Sequence, residues 1–180
     1  MFLADGFDAV AMEQVVAGAQ ISKGTLYARH ASKEALFVAV VEDAIASWSE
    51  EAAEEDYLLS DQIEQRLRHH ARTIAGSLQR PDVLAFQRLV LAVRDRFPDI
   101  ARSMHDRGYR YIVDLIRDDV IRAGARDGQT PRDPTAVGEL LVAAISGKQL
   151  QDLDHADSGG NLDAFGQRVV DLLMAARSDW

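Results

Sequence analysis

Apolar residues recur every three to four positions along almost the whole chain, and no stretch alternates with period two for long enough to form a strand. That pattern restricts the fold to packed helices. Only Pro81, Pro98, Pro131 and Pro134 interrupt it with the residue that breaks a helix outright. Leu162, Phe165, Val169, Leu172, Leu173 and Ala176 trace one apolar stripe. Val137, Leu140, Leu141, Ala144 and Ile145 trace another, opened by Asp133-Pro134 as cap and first-turn proline. Ile63, Leu67, His70, Ala71, Ile74 and Leu78 make a third, ended at Arg80-Pro81. Over 83–93 apolar residues fall on more than one face, as in a helix buried on several sides. Pro98-Asp99 restarts a short helix, and a further one from Tyr109 to Ala123 is expected to end at Gly124. Loops are expected over 124–134 and 152–160. The spacing predicts an all-α fold of roughly nine or ten helices.

At 180 residues the chain can bury a real core. Its 29 acidic and 20 basic residues leave it at −9, which argues against a generally basic, nucleic-acid-binding body. No uncharged apolar run approaches the ~20 residues of a membrane span, so no membrane partner is expected. Met1 is followed by mixed apolar and acidic residues, unlike a secretory leader. The absence of cysteine excludes disulfides, thiolate metal sites and thiol catalysis, and fits a reducing cytoplasm.

The first fifty residues differ in texture. Short helices, about 12–17 and 23–29, precede a long one that begins at Lys33. Helices this short bury little area each and must share one small core, supplied by Phe7, Met12, Val15, Val16, Ile21, Leu26, Leu36 and Phe37. This is helix-turn-helix geometry. Gly6-Phe7 ends a first helix with a residue able to take positive φ and an aromatic anchor. Ala19-Gln20-Ile21 is the turn, with Ile21 expected to plug the space between the helices. Ser22 is a good N-cap for the helix beginning Lys23-Gly24-Thr25, where free N–H groups favour phosphate and Gly24 leaves room for it. Thr25, Tyr27, Ala28 and Arg29 then lie where they reach base edges, while Ser32 caps the next helix and Lys33 neutralises phosphate. From Gln14 to Lys33 there is no acidic residue. In a chain of net −9, an acid-free edge of this kind is a local nucleic-acid signature.

The run Gly6-Phe7-Asp8-Ala9, Met12, Val15, Ala19 through Tyr27 and Ser32-Lys33-Glu34-Ala35-Leu36-Phe37 resembles the DNA-binding domain of the tetracycline-repressor (TetR) family. Arg96-Phe97-Pro98-Asp99-Ile100-Ala101, within 91–107, resembles regulatory domains of its AcrR/AefR-like branch. The resemblance implies a DNA-binding domain over 1–46 and an effector-binding, dimerising domain over 47–180. It implies a ligand-responsive regulator, most simply a repressor, that binds palindromic operator DNA as a homodimer until a small, largely apolar effector releases it. On this layout Ser22, Lys23, Gly24, Thr25, Tyr27, Ala28, Arg29 and Lys33 contact DNA. Phe86, Gln87, Val90, Leu91, Arg94, Tyr109, Ile112 and Val113 line an effector pocket. Val137, Leu140, Leu141, Ala144, Leu162, Phe165, Val169, Leu172 and Leu173 form a four-helix dimer seam, with the small Ala143, Gly147, Ala175 and Ala176 permitting close approach.

Four departures from the family pattern stand out. Val10-Ala11 replaces the usual hydroxyl cap before Met12, Gln20 replaces the turn glycine, and His30 replaces an aromatic and is expected to be half-buried. The first helix is represented only by its last turn, Met1-Phe2-Leu3-Ala4, with Phe2 in the aromatic position. These features keep open an alternative, a helical small-molecule-binding dimer with impaired DNA binding. No catalytic motif is present, so no enzyme is expected, and no cofactor. Asp152, Asp154, His155 and Asp157 read as a solvated loop rather than a metal site, and His70 as a core histidine. The acidic run over 50–56 reads as a solvated helix end.

Overall fold

The helix boundaries fall where the sequence supplies caps and breakers. The computed structural model describes residues 1–56, 61–154 and 161–180, and the side chains of all of these except 48–56, 101, 153 and 154. Among the described residues ten α-helices follow one another without a strand. They are α1 (Phe2–Ala9), α2 (Met12–Ala19), α3 (Lys23–Arg29), α4 (Lys33–Asp56), α5 (Ile63–Gln79) and α6 (Pro81–Val93), then α7 (Pro98–Met104), α8 (Arg110–Asp127), α9 (Pro134–Asp154) and α10 (Leu162–Ala175). A π-helical turn, His105–Tyr109, joins α7 to α8, and a 3-10 turn, Arg177–Asp179, follows α10. Asp133 caps α9 as expected, its Oδ1 accepting from Ala136 N–H at 3.1 Å, and Asn161 caps α10 by the same contact to Ala164 at 3.0 Å.

Gly124 does not end α8. The helix runs three residues further and stops at Gly128, which takes φ 68° and donates its N–H to Gly124 O. The glycine at 124 serves close approach instead, since a Cβ there would lie 2.7 Å from Pro131 Cδ. Gly138 plays the same part where α9 crosses α8, a Cβ there falling 2.9 Å from Val113 O. The loop expected over 152–160 starts later, because α9 continues to Asp154 and Asp152 pairs with Lys148. His155 and Asp157, and the side chains of the acidic run over 50–56, lie outside the described residues.

The apolar residues divide into two cores. One is built by α5, α8, α9 and α10 around Leu67, Ile116, Leu141, Ile145 and Val170. The other gathers Phe2, Phe7, Met12, Leu26, Leu36 and Phe37 from the N-terminal helices with Phe86, Leu89, Val90, Val93 and Ile100 from α6 and α7. Residue 46, where the sequence reading divides the chain, falls inside α4, and packing carries α6 and α7 back onto the N-terminal unit. Phe2 occupies the aromatic position expected of it, 5.2 Å centroid to centroid from Phe37. Each fully buried side chain such as Phe37 contributes about 1.5–3 kcal/mol.

Between α5 and α8 the first core encloses charge. Asp119 is 0% exposed and receives Arg66 Nε at 2.5 Å, His70 Nε2 at 2.9 Å and the Arg122 guanidinium. His70 is thus the core histidine that the stripe placement implied, and Asp119 is the partner that explains it. Burial alone pushes the Asp119 carboxyl up, but the hydrogen bonds from His70 and Arg66 together reverse this and hold it below the ordinary carboxylate range.

Candidate nucleic-acid interface

The turn between α2 and α3 is set by two backbone choices. Gln20 takes the left-handed conformation, φ 56° and ψ 37°, and returns its N–H to Val16 O. Ser22 then caps α3, its Oγ accepting from Thr25 N–H at 3.0 Å and lying 2.8 Å from Thr25 Oγ1. The two-turn α3 buries only Leu26, so Ser22, Lys23, Gly24, Thr25, Tyr27, Ala28 and Arg29 are all exposed around it. Ile21 is exposed rather than plugging the turn. Val15 and Val16, half-buried against the N-terminal core, do that work from α2.

The electrostatics of this edge differ from the linear reading. Glu13 lies just outside the acid-free window, yet its Oε1 is 3.0 Å from Lys23 Nζ. That hydrogen bond draws the Glu13 carboxyl below its ordinary range and raises the Lys23 ammonium above its own. Lys33 is held as well, donating to Asp8 O at 3.0 Å with its Nζ 4.6 Å from the Phe7 ring centroid. Arg29 makes no ion pair among the described residues, leaving it free to meet an anion. Upstream, Ala11 offers no side-chain acceptor to α2, but Gln14 reaches back to accept the Ala11 N–H at 2.7 Å, half of a capping box. Ser32 caps α4 through Ala35 N–H at 3.1 Å, and His30 is half-buried as expected.

The expected effector-pocket residues divide between the two cores. Phe86 and Val90 belong to the N-terminal core, whereas Val113, with Tyr109 and Ile112 against it, belongs to the other. Gln87 is half-buried, and Leu91 and Arg94 face solvent. A cleft of about 310 Å³ does open elsewhere, between the end of α8, Gln129–Arg132 and Trp180, and none of those residues borders it.

The expected dimer seam splits by helix face. Leu141 is 0% exposed, and Val137, Leu162 and Leu173 are buried beside it, so these four leave little surface for a second chain to cover. They close the subunit's own core because they share a helix face with Ile145 and Val170. Leu140 and Leu172, at 59% and 72% exposed, point outward, with Ala144, Phe165 and Val169 at the margin between the faces. Leu150, also exposed, extends the outward face of α9 beyond the residues that the periodicity suggested. Among the described residues no helix is long and apolar enough to cross a membrane.

Comparison with known proteins agrees with this architecture. Residues 1–40 match the family model for bacterial regulatory proteins, tetR family, and residues 65–151 match the model for the C-terminal domain of AefR-like transcriptional repressors. Together the two matches span more than two thirds of the chain. The fold superposes with a TM-score of 0.78 on a crystal structure from Mesorhizobium loti assigned to the TetR-family transcriptional regulators, covering 97% of this chain and 90% of that one at 21% identity. At that identity the likeness speaks for the fold. No curated protein matches the chain significantly.

Proposed function

The chain belongs to the tetracycline-repressor (TetR) family of bacterial regulatory proteins, with a C-terminal domain of the AefR-like branch, and from that premise we propose that it is a ligand-responsive transcriptional repressor. It binds palindromic operator DNA as a homodimer and is released by a small, largely apolar effector. One observation carries the reading: α3 turns only Leu26 inward and leaves Thr25, Tyr27, Ala28 and Arg29 exposed. Arg29 supplies the fork that pairs with guanine, and the Thr25 methyl and Tyr27 ring meet base edges. Ser22, Lys23 and Gly24 border the groove. An ammonium has three donors, and Lys33 uses one on Asp8, leaving two for phosphate. The outward faces of α9 and α10, with Leu140, Leu150 and Leu172 exposed, form the apolar surface that a second copy covers.

The test separates base reading from phosphate holding. Arg29→Ala and Tyr27→Ala are expected to flatten discrimination among related operators. Lys33→Ala should weaken binding to all sequences alike and reduce the salt slope by about one. Equal effects on specificity from all three would refute this division of roles. A second reading, an effector-binding dimer that does not read DNA, draws support from the two lysines already held by Glu13 and Asp8. Mobility shifts with DNA from upstream of the gene, at stepped salt, decide between them. Retardation supports the repressor, and its absence at low salt supports the second reading.

A further inference from the structure

The loop between α6 and α7 makes a contact that DNA reading by α3 does not use. Phe97 is pinned there at both ends, its N–H donating to Val93 O at 2.8 Å and its carbonyl accepting from Ile100 N–H at 3.1 Å. The ring enters the aromatic cluster of the helix-turn-helix unit, edge-on to Phe7 with centroids 5.0 Å apart and 5.4 Å from Phe37. Arg96, its neighbour, lies over both Phe7, at 4.6 Å, and Phe97, at 5.5 Å. The same guanidinium divides between Asp8 Oδ1 at 3.2 Å and Glu34 Oε1 at 2.9 Å. Asp8 lies in the last turn of α1 and Glu34 in the first turn of α4, so one side chain grips the unit at two of its helices. Lys33 of the reading edge shares the Phe7 ring with Arg96.

We propose that Arg96 and Phe97 are positioning residues that fix the orientation of the helix-turn-helix unit on the rest of the chain, and with it the separation of the two reading helices in a dimer. The apolar packing of α6 against α1 is non-directional and tolerates sliding. Edge-to-face rings and a guanidinium held by two carboxylates prescribe an angle. Exposed ion pairs alone are too weak for this role, and the contact of half-buried Phe97 with the buried Phe7 and Phe37 supplies what they lack. The orientation stands on the contacts above, whereas its consequence for helix separation rests on the proposed reading of DNA by a dimer.

The chain contains no cysteine, so spin labels can be placed at chosen sites. Ala28→Cys on α3 and Ala125→Cys on α8, both exposed, give an intramolecular distance by double electron–electron resonance when labelled chain is diluted into unlabelled. The parent is expected to give a narrow distribution. Arg96→Ala and Phe97→Leu should each broaden it as the equilibrium constant for docking falls roughly two- to fivefold. Arg96→Lys, which keeps the charge and loses the fork, should fall between. Arg94→Ala, at the neighbouring exposed arginine, should leave the width unchanged. Widths unaltered by both Arg96→Ala and Phe97→Leu would overturn the proposal. So would broadening that accompanies loss of helical circular dichroism, because the contact would then hold the fold and not its orientation. With upstream DNA whose half-site spacer is altered by one base pair, the same variants should lose the parent's spacer preference. If the parent binds no DNA, the repressor reading fails while the distance measurement still decides the positioning role.

Discussion

Replacing Asp119 by Asn tests whether the buried charge network organises the larger core. The substitution keeps the shape and removes the one anion that Arg66, His70 and Arg122 share. Arg122 has 60% of its side chain exposed and can turn to water, so its loss is small. Arg66, with 10% exposed, cannot, and loses the Asp119 carboxylate while its guanidinium stays in the core. Breaking a buried pair in this way costs about 3–5 kcal/mol, and the escape open to Arg122 places the expectation near 3. For a chain of this length that lowers Tm by roughly 6–12 °C. The Asp119 carboxyl is held below its ordinary value when folded, so its contribution is complete above about pH 4 and disappears as pH falls through the folded value. Thermal unfolding followed by far-ultraviolet circular dichroism, at fixed protein concentration, should show the variant well below the parent at pH 7. The gap should narrow as pH falls below about 4, where the unfolded carboxyl takes up protons first, and close once the folded one does. A variant within about 2 °C of the parent at pH 7, or a gap that widens in acid, would refute the reasoning.

Three further outcomes follow from local geometry. Gln20→Gly relieves a left-handed residue and should stabilise the chain by about 1 kcal/mol, raising Tm by roughly 2–4 °C. Ala11→Thr supplies the acceptor that α2 lacks, with Gln14 already in place to complete the box. A gain of about 0.5–2 kcal/mol by urea unfolding is expected, and no gain would mean that the α2 N-terminus is satisfied by other means. Glu13→Gln releases Lys23 and removes a negative charge from the reading edge. It should tighten binding to every DNA sequence and steepen the salt slope by about one per subunit, as measured by fluorescence anisotropy.

The parts of this molecule legible in sequence are those set by neighbours along the chain. The caps at Ser22, Ser32 and Asp133 and the positive φ at Gly6 each follow from a few adjacent residues, whereas nothing in Gln20 itself signals its left-handed backbone. Gly124 misled because a glycine ends a helix in some places and admits a neighbour in others, and only the packing of Pro131 distinguishes the two. The stripes of α9 and α10 carry a related ambiguity: periodicity assigns residues to a stripe but cannot divide a stripe between the subunit's own core and its surface. Asp119 left a trace that went unread. It stands three residues after Ile116 and four before Ala123, on a buried stripe, and His70 on its own stripe required a partner. The reach of Arg96 to Asp8 and Glu34 had no local signal, because those partners lie 88 and 62 residues away. The same distance conceals the closing of the acid-free window by Glu13, whose pairing with Lys23 depends on the angle between α2 and α3.

The central claim is that this acidic chain reads DNA through the exposed edge of α3, and equilibrium binding across a salt series addresses it. DNA from upstream of the gene and the same DNA scrambled are titrated with the intact chain. Tighter binding to the native sequence by about 10³ or more is expected, with log K falling linearly as log salt rises. Equal affinity for the two DNAs, or no binding to either at low salt, would contradict it.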